Sequence, residues 1–443
     1  SPYAPLGVHP KPDPGCCCCC PGRRPAPPPG GGPEESHPCG PLEPCCPFWP
    51  PNSCRKAAGC CFCAALLLEL LVLLGMLSDR FEALKPKSEL AAEGCFVIDA
   101  VPPALACDDL VSYNASILLT GEADGRGEGG LLYVDASNGS SPRLQRMPMY
   151  DFPEDVAFNP QGLYLLGGEG GPEPSLLHVV NHAYDNGGER IDVFQIAPSL
   201  EARWVHAWTS DFLSRNANGA LNDVAVLDVN NLFVTRSGTP PAVGAPEKNC
   251  SNCSRPLRGG AIALDARNYL DWVFSGHRKT EFYHCTRDSV GGAVDCKVPV
   301  GMGANFGSAG GINFANSEKT VLYVSDLYQS ELRVYGLDAR DRSIVERSAI
   351  KLIDRVDDIE WNRFHGRIFM GMAYRLLDGW GGASEGTAGP APLRGLGSYE
   401  RLVVVDGGRF GGVTSANYAN GNAFMGSHSH SGVLVCPAEL RGA

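Results

Sequence analysis

The chain has 443 residues and a formal net charge of −12, length enough for one large domain or two to three ordinary ones. The acidic balance, with no Lys/Arg cluster interleaved with aromatic residues, argues against a nucleic-acid partner. Twelve of the nineteen cysteines precede residue 64, in a stretch crowded with Pro and Gly, so the start of the chain differs in kind from the rest. Residues 1–59 read as a low-complexity Pro/Gly/Cys tail that is predicted to be disordered. Residues 60–77, CCFCAALLLELLVLLGML, are interrupted only by Glu69, and that length is near the minimum for a membrane span. Arg55 and Lys56 flank the N-terminal side, so the positive-inside rule predicts a signal-anchor helix with the N-terminus cytosolic. A buried soluble helix and a cleaved signal peptide are the alternatives; the roughly sixty residues ahead of the run argue against the second. Residues 78–94 form a linker of mixed charge, and 437–443 a C-terminal tail.

The other seven cysteines, Cys95, Cys107, Cys250, Cys253, Cys285, Cys296 and Cys436, are spread through 95–436 as expected of disulfides in an oxidising compartment. Sequons at Asn114, Asn138, Asn249 and Asn252 fit a glycoprotein of the secretory route. The domain following the span is therefore expected in the lumen or outside the cell.

After residue 95 no long amphipathic helix is visible. Instead a pattern recurs: a polar or small doublet, an alternating run, a turn, and a second apolar run. It occurs as DDLVSYNASILLTG from Asp108, EDVAFNPQGLYLLG from Glu154 and NDVAVLDVNNLFVTRSG from Asn222. It returns as GGINFANSEKTVLYVSD from Gly310, DDIEWNRFHGRIFMGMA from Asp357 and VTSANYANGNAFMGSHS from Val413. A repeat of about fifty to sixty residues built from paired strands suggests blades, and six copies predict an all-β fold, a six-bladed β-propeller over 95–436. SLLHVV, RIDVFQI, GGAIALD, ELRVYGL and RLVVVDG are expected as outer strands, and the Gly-rich 379–398 as a loop at the channel mouth. Cys95 precedes the first repeat and Cys436 follows the last. A bridge between them would staple the ring shut, worth roughly 4–5 kcal/mol by loop entropy. Cys250 with Cys253 and Cys285 with Cys296 are local candidates, which leaves Cys107 over.

In a propeller the first residues of each innermost strand converge on the axis. The doublets Asp108-Asp109, Glu154-Asp155, Asn222-Asp223 and Asp357-Asp358 would meet there, with Gly310-Gly311 and small residues between them. Converging carboxylates in a partly dry channel need a cation, and hard oxygen donors without a His/Cys set suit Ca2+ better than zinc. His206, His277, His284, His428 and His430 have no metal-binding spacing and are expected on the surface or in loops.

The blocks FNPQGL at 158–163, VVNHAYD at 179–185, LNDVAVL at 221–227, GGINFANSEKTVLYVSD at 310–326 and RVDDIEW at 355–361, with the Cys95/Cys436 pair, resemble the paraoxonase/arylesterase family. The resemblance implies a hydrolase of aryl esters or lactones holding two calcium ions. It places Asp108, Asn222, Asp357 and Asp358 on a catalytic ion, and Asp109, Asp223 and the Leu163 carbonyl on a structural one. Four positions depart from the family. Asp108 replaces a Glu, Asp358 replaces an Asn, and Gly310 replaces an Asn ligand. The family's first catalytic histidine is Gln161 here, whereas His182 matches the second, which orients the water. A calcium-stabilised propeller that has lost catalysis and binds a partner is the alternative, as is a relative of the gluconolactonases or strictosidine synthases. The expected partners are a small ester or lactone substrate and the membrane.

Overall fold

The computed structural model describes residues 94–440 except 101–105, 123–128, 168–173, 184–187, 215–220, 237–280, 300–305, 328, 339, 341, 353–354, 376–379, 389–395, 406–409, 411 and 429. Two compact units divide the chain, Ser1–Leu66 and Leu67–Ala443, and every described residue lies in the second. The tail, the 60–77 span and most of the linker therefore lie outside the described residues, as do Asn249, Asn252, Cys250, Cys253, His277 and the strand expected at GGAIALD. Among the described residues no helix is long and apolar enough to cross a membrane.

The described chain is all-β apart from one turn of helix, α1 (Asp211–Ser214). β1 (Phe96–Ile98) is followed by a meander of β2 (Cys107–Ser112), β3 (Ile117–Glu122), β4 (Gly130–Asp135) and β5 (Arg143–Arg146). The second sheet comprises β6 (Met149–Tyr150), β7 (Pro160–Leu166), β8 (Ser175–Ala183), β9 (Gly188–Ile196) and β10 (Ala202–Trp208). Then come β11 (Leu221–Asp228), β12 (Asn231–Arg236), β13 (Glu281–Thr286) and β14 (Asp295–Lys297). The fourth sheet is β15 (Ala309–Phe314), β16 (Val321–Asp326), β17 (Glu331–Leu337) and β18 (Ile344–Lys351). The fifth is β19 (Arg355–Asn362), β20 (Arg367–Arg375), β21 (Trp380–Ala388) and β22 (Leu396–Val405). Last are β23 (Val413–Ala419), β24 (Asn422–Ser427) and β25 (Val433–Pro437), completed by β1, which pairs antiparallel with β25 from Phe96↔Val435 to Ile98↔Val433. The strand pairing links this last group to the first meander at one β2–β24 position, Cys107↔Ser427, which joins the two into one eight-stranded sheet.

Among the described strands, β2, β7, β11, β15, β19 and β23 carry the same irregularity. Two residues of each oppose one on the next strand, which is a β-bulge, a device that re-aims side chains. The bulged pairs are 108–109, 161–162, 222–223, 310–311, 357–358 and 414–415. Between them the sheets bury six apolar clusters. One packs Leu110 and Leu118 against Phe424 and Val435, bringing the last group onto the first.

Four expectations are corrected. Glu154 and Asp155 are exposed in a turn before β7 and do not lead an inner strand; Gln161-Gly162 does. Asn159-Pro-Gln-Gly therefore enters a strand instead of turning a hairpin, since Pro is tolerated as a strand's first residue. Much of the Gly-rich 379–398 is strand, in β21 and the start of β22, because ladder pairing uses backbone groups and asks nothing of the side chain. His206 and His284 lie in β10 and β13, His284 stacked on Phe233 with ring centroids 4.7 Å apart, while His428 is exposed.

Cys95–Cys436 and Cys285–Cys296 are bonded, and Cys107 is free and buried. Burial, followed by the charge of Glu122, pushes the Cys107 thiol up to about 12, so it is inert. Asn114 is half-buried and accepts from the N–H groups of Ser116 and Ile117, whereas Asn138 is exposed in a turn.

Candidate metal centre

The second residue of each bulge alternates around the chain: Asp109, Gly162, Asp223, Gly311, Asp358, Ser415. Close packing requires the small ones. A Cβ at Gly162 would lie 2.5 Å from Asn222 O and from Asp223 Cα, and one at Gly311 would lie 2.5 Å from Asp358 Cα. Three carboxylates from alternate sheets thus share the space that the small residues leave. Asp109 and Asp223 are 1% exposed and Asp358 7%.

Two of these acids join neighbouring sheets. Asp109 accepts from its own strand through Leu110 N–H at 2.7 Å and from β7 through Leu163 N–H at 2.6 Å. Asp223 repeats the device with Val224 and with Ile312 of β15, both at 2.7 Å. Hydroxyls support the bulged backbone. Thr235 donates to Gly310 O, Ser325 to Asp357 O, and Thr414 and Ser415 to Asp108 O, all at 2.6–2.7 Å.

Charge accumulates here against the cost of burial. Burial raises Asp109 to about 7, with the Asp108 charge adding to it, and burial likewise raises Asp357 to about 7, with the charges of Asp108 and Asp109 adding to it. Asp223 and Asp358 are pushed well above the usual carboxylate range by burial first and then by the other acids of the set. Each of Asp109, Asp223, Asp357 and Asp358 is raised further by the charge of others among Asp108, Asp109, Asp223 and Asp357, so these sequence-predicted acids lie near one another. Glu360, two residues past Asp358 on the same face of β19, is also raised by burial and by Asp109 and Asp223. Sequence reasoning missed it, although the period-two spacing was there to find it.

Gly310 has no room for a side-chain ligand: a Cβ would lie 2.8 Å from Ser325 Oγ and 2.9 Å from Asp357 O. Asn313, further along β15, gives its amide N–H to Glu360 Oε2 at 3.3 Å.

Beside the acids runs a chain of polar side chains. Gln161 Nε2 donates to Asn222 Oδ1 at 2.7 Å, and Gln161 Oε1 contacts His182 Nε2. His182 Nδ1 faces Glu189 Oε1 at 3.2 Å, and Glu189 Oε2 accepts from Leu221 N–H at 3.2 Å. The chain closes on itself, since both ends meet at Leu221-Asn222. Glu189 stands directly opposite His182 in the β8–β9 ladder, a partnership that only the sheet register reveals.

The donor set fits calcium chemically, being carboxylate, amide and backbone oxygens. Asp108 Oδ1 and Glu360 Oε1 are buried with no hydrogen-bond partner. Among the described residues no three His, Cys, Asp or Glu side chains stand ready-made as metal ligands. Asp109 and Asp223 spend both oxygens on N–H groups, so coordination asks these side chains to turn or to share a lone pair.

No protein-family model matches the chain, and no curated protein does. Among solved structures, a luciferin-regenerating enzyme aligns at 11% identity over 79% of this chain and 96% of its own, with a TM-score of 0.43. The periplasmic gluconolactonase of Pseudomonas aeruginosa aligns at 14% identity over 68% and 86%, with a TM-score of 0.35. The PQQ-bound aldose sugar dehydrogenase of Streptomyces coelicolor aligns at 10% over 78% and 98%, with a TM-score of 0.40. Likeness at this level assigns neither activity nor ligand.

Proposed function

We propose that the chain is a calcium-dependent hydrolase of lactones or aryl esters, built as a six-bladed propeller around its acid-lined axis. The observation that carries the reading is the convergence of five doublet acids, three of them alternating with small residues so that they can meet. Six equivalent bulges, six apolar clusters and the closure of the last sheet by β1 support the blade count. Asp108, Asn222, Asp357 and Asp358 would hold a catalytic ion, and Asp109, Asp223 and the Leu163 carbonyl a second, structural one. When bound, calcium polarises the substrate carbonyl and stabilises the negative charge that develops on its oxygen.

The chain's own groups do the rest. Asp108, whose Oδ1 has no donor, accepts the proton of the attacking water, and the departing oxygen takes it back as the C–O bond breaks. Gln161 cannot take a proton near neutral pH, and His182 faces Gln161 and Glu189. His182 is therefore a positioning residue that holds Asn222 through Gln161. The disulfides and sequons support a lumenal or extracellular placement, with the 60–77 segment as the tether. Hydrolysis of phenyl acetate and an aliphatic lactone tests the reading. Wild type should be active, lose activity in EDTA and regain it with calcium, while Asp357→Ala is inactive; calcium-loaded wild type without turnover on either substrate would contradict it.

Gln161 favours one second reading, a calcium-stabilised propeller without catalysis that serves as a binding module. It predicts calcium-dependent thermal stability with no turnover.

A further inference from the structure

We propose that the cavity at the opposite end of β11 from Asn222-Asp223 binds a small oxyanion, a phosphate, sulfate or carboxylate group, on Arg287. The cavity measures about 590 Å³ and is walled by the β11–β12 turn, the residues that follow β13, and Arg342 of the β17–β18 turn. Arg287 is 6% exposed. Its Nε and Nη2 both donate to Val229 O, at 3.1 and 2.6 Å, and its guanidinium lies 4.0 Å from the centre of the Trp208 ring. Its Nη1 is buried with no hydrogen-bond partner. Burial alone draws Arg287 down to about 10, with no carboxylate charge acting against it, so it is still a cation at neutral pH. A buried cation without a counter-charge is costly, and the contact with an aromatic face offsets only part of that cost.

No described neighbour supplies the missing charge. From the second sheet Arg287 meets Trp208, His206 and His178, and burial draws the two histidines down to about 4 and 3, so both are neutral. Asp228 in the cavity wall is already spent. Its Oδ1 accepts from the Asn230 N–H and from Asn231 Nδ2, at 2.9 and 2.7 Å, and its Oδ2 pairs with Arg342 at 3.1 Å. Asp288, the other acid of the wall, is exposed to solvent. Asn230 Oδ1 is buried without a partner, and turning that amide over presents its N–H groups as a second donor beside Arg287.

Sulfate and acetate are the probes, titrated calorimetrically into the full chain without added calcium, against chloride at matched ionic strength. The hydrolase reading therefore stands or falls separately. Wild type should bind at least one of the two with a Kd of about 1 mM or tighter. Binding of sulfate only points to a phosphate- or sulfate-bearing ligand, and binding of acetate only to a carboxylate; either supports the site. Arg287→Met keeps an unbranched side chain over Trp208 without the charge, and should weaken binding at least about tenfold. No binding of either anion by wild type, or equal binding by Arg287→Met, would overturn the proposal. Should Arg287→Met not fold, Arg342→Met decides, because the Arg342 side chain is 46% exposed and its loss leaves Asp228 without its cation. Weaker anion binding is expected from that variant, and unchanged binding would contradict the assignment.

Discussion

Gln161 stands where the paraoxonase resemblance expects a histidine, and its contacts explain what the change does. Its amide bridges His182 and Asn222, so it can carry orientation along the chain but not a proton. Gln161→His places a titratable ring between the same partners. It should raise kcat/KM for phenyl acetate by about tenfold, or ~1.4 kcal/mol of transition-state stabilisation, in a calcium-loaded assay. An unchanged rate would mean that the proton does not move through this position. Glu189 belongs to the same network but was not legible in the sequence, because it lies across a ladder from His182 and no motif links them. Glu360 was legible in principle, through its spacing from Asp358.

The bulged inner strand is the element that makes the site. The recurring doublets predicted the leading residues of a strand at 108–109, 222–223, 310–311 and 357–358, and the structure places each in a strand, adding a register shift that the pattern did not predict. The pattern failed at Glu154-Asp155 because apolar alternation in EDVAF resembles that of an inner strand, while Pro160 at the head of β7 resembles a turn. Small residues in the bulges now have a reason that composition could not supply. Gly311→Ala forces a methyl group to 2.5 Å from Asp358 Cα and 2.6 Å from Ile359 N, both backbone atoms. It should destabilise the fold by ~1–3 kcal/mol through overpacking, read as a lower urea midpoint. Gly366, whose Cβ would meet nothing, has a φ of +61° and would test backbone strain instead.

At the scale of the whole molecule, closure and charge set the stability. β1 reaches the last sheet across the entire described chain, and Cys95–Cys436 fixes that join over a sequence separation of 341. Cys95→Ser should lower stability by about 4 kcal/mol in non-reducing urea denaturation, with Cys285–Cys296 intact. The buried acids act in the opposite direction when no metal is added. Asp109 and Asp357 are raised from 3.8 to about 7, so the folded chain holds protons that the unfolded chain has released. Stability of EDTA-treated protein is therefore full below the unfolded pKa and falls as pH rises through about 7. Its thermal midpoint should be higher near about pH 5 than near about pH 7.5, and added calcium should raise it mainly at the higher pH.

The proposed hydrolysis rests on the converging acids taking up calcium. Equilibrium dialysis of the metal-free chain against calcium at neutral pH tests this most directly. Two ions per chain are expected, with both lost from Asp109→Asn/Asp357→Asn. No calcium retained by folded wild type at millimolar concentration would contradict the account.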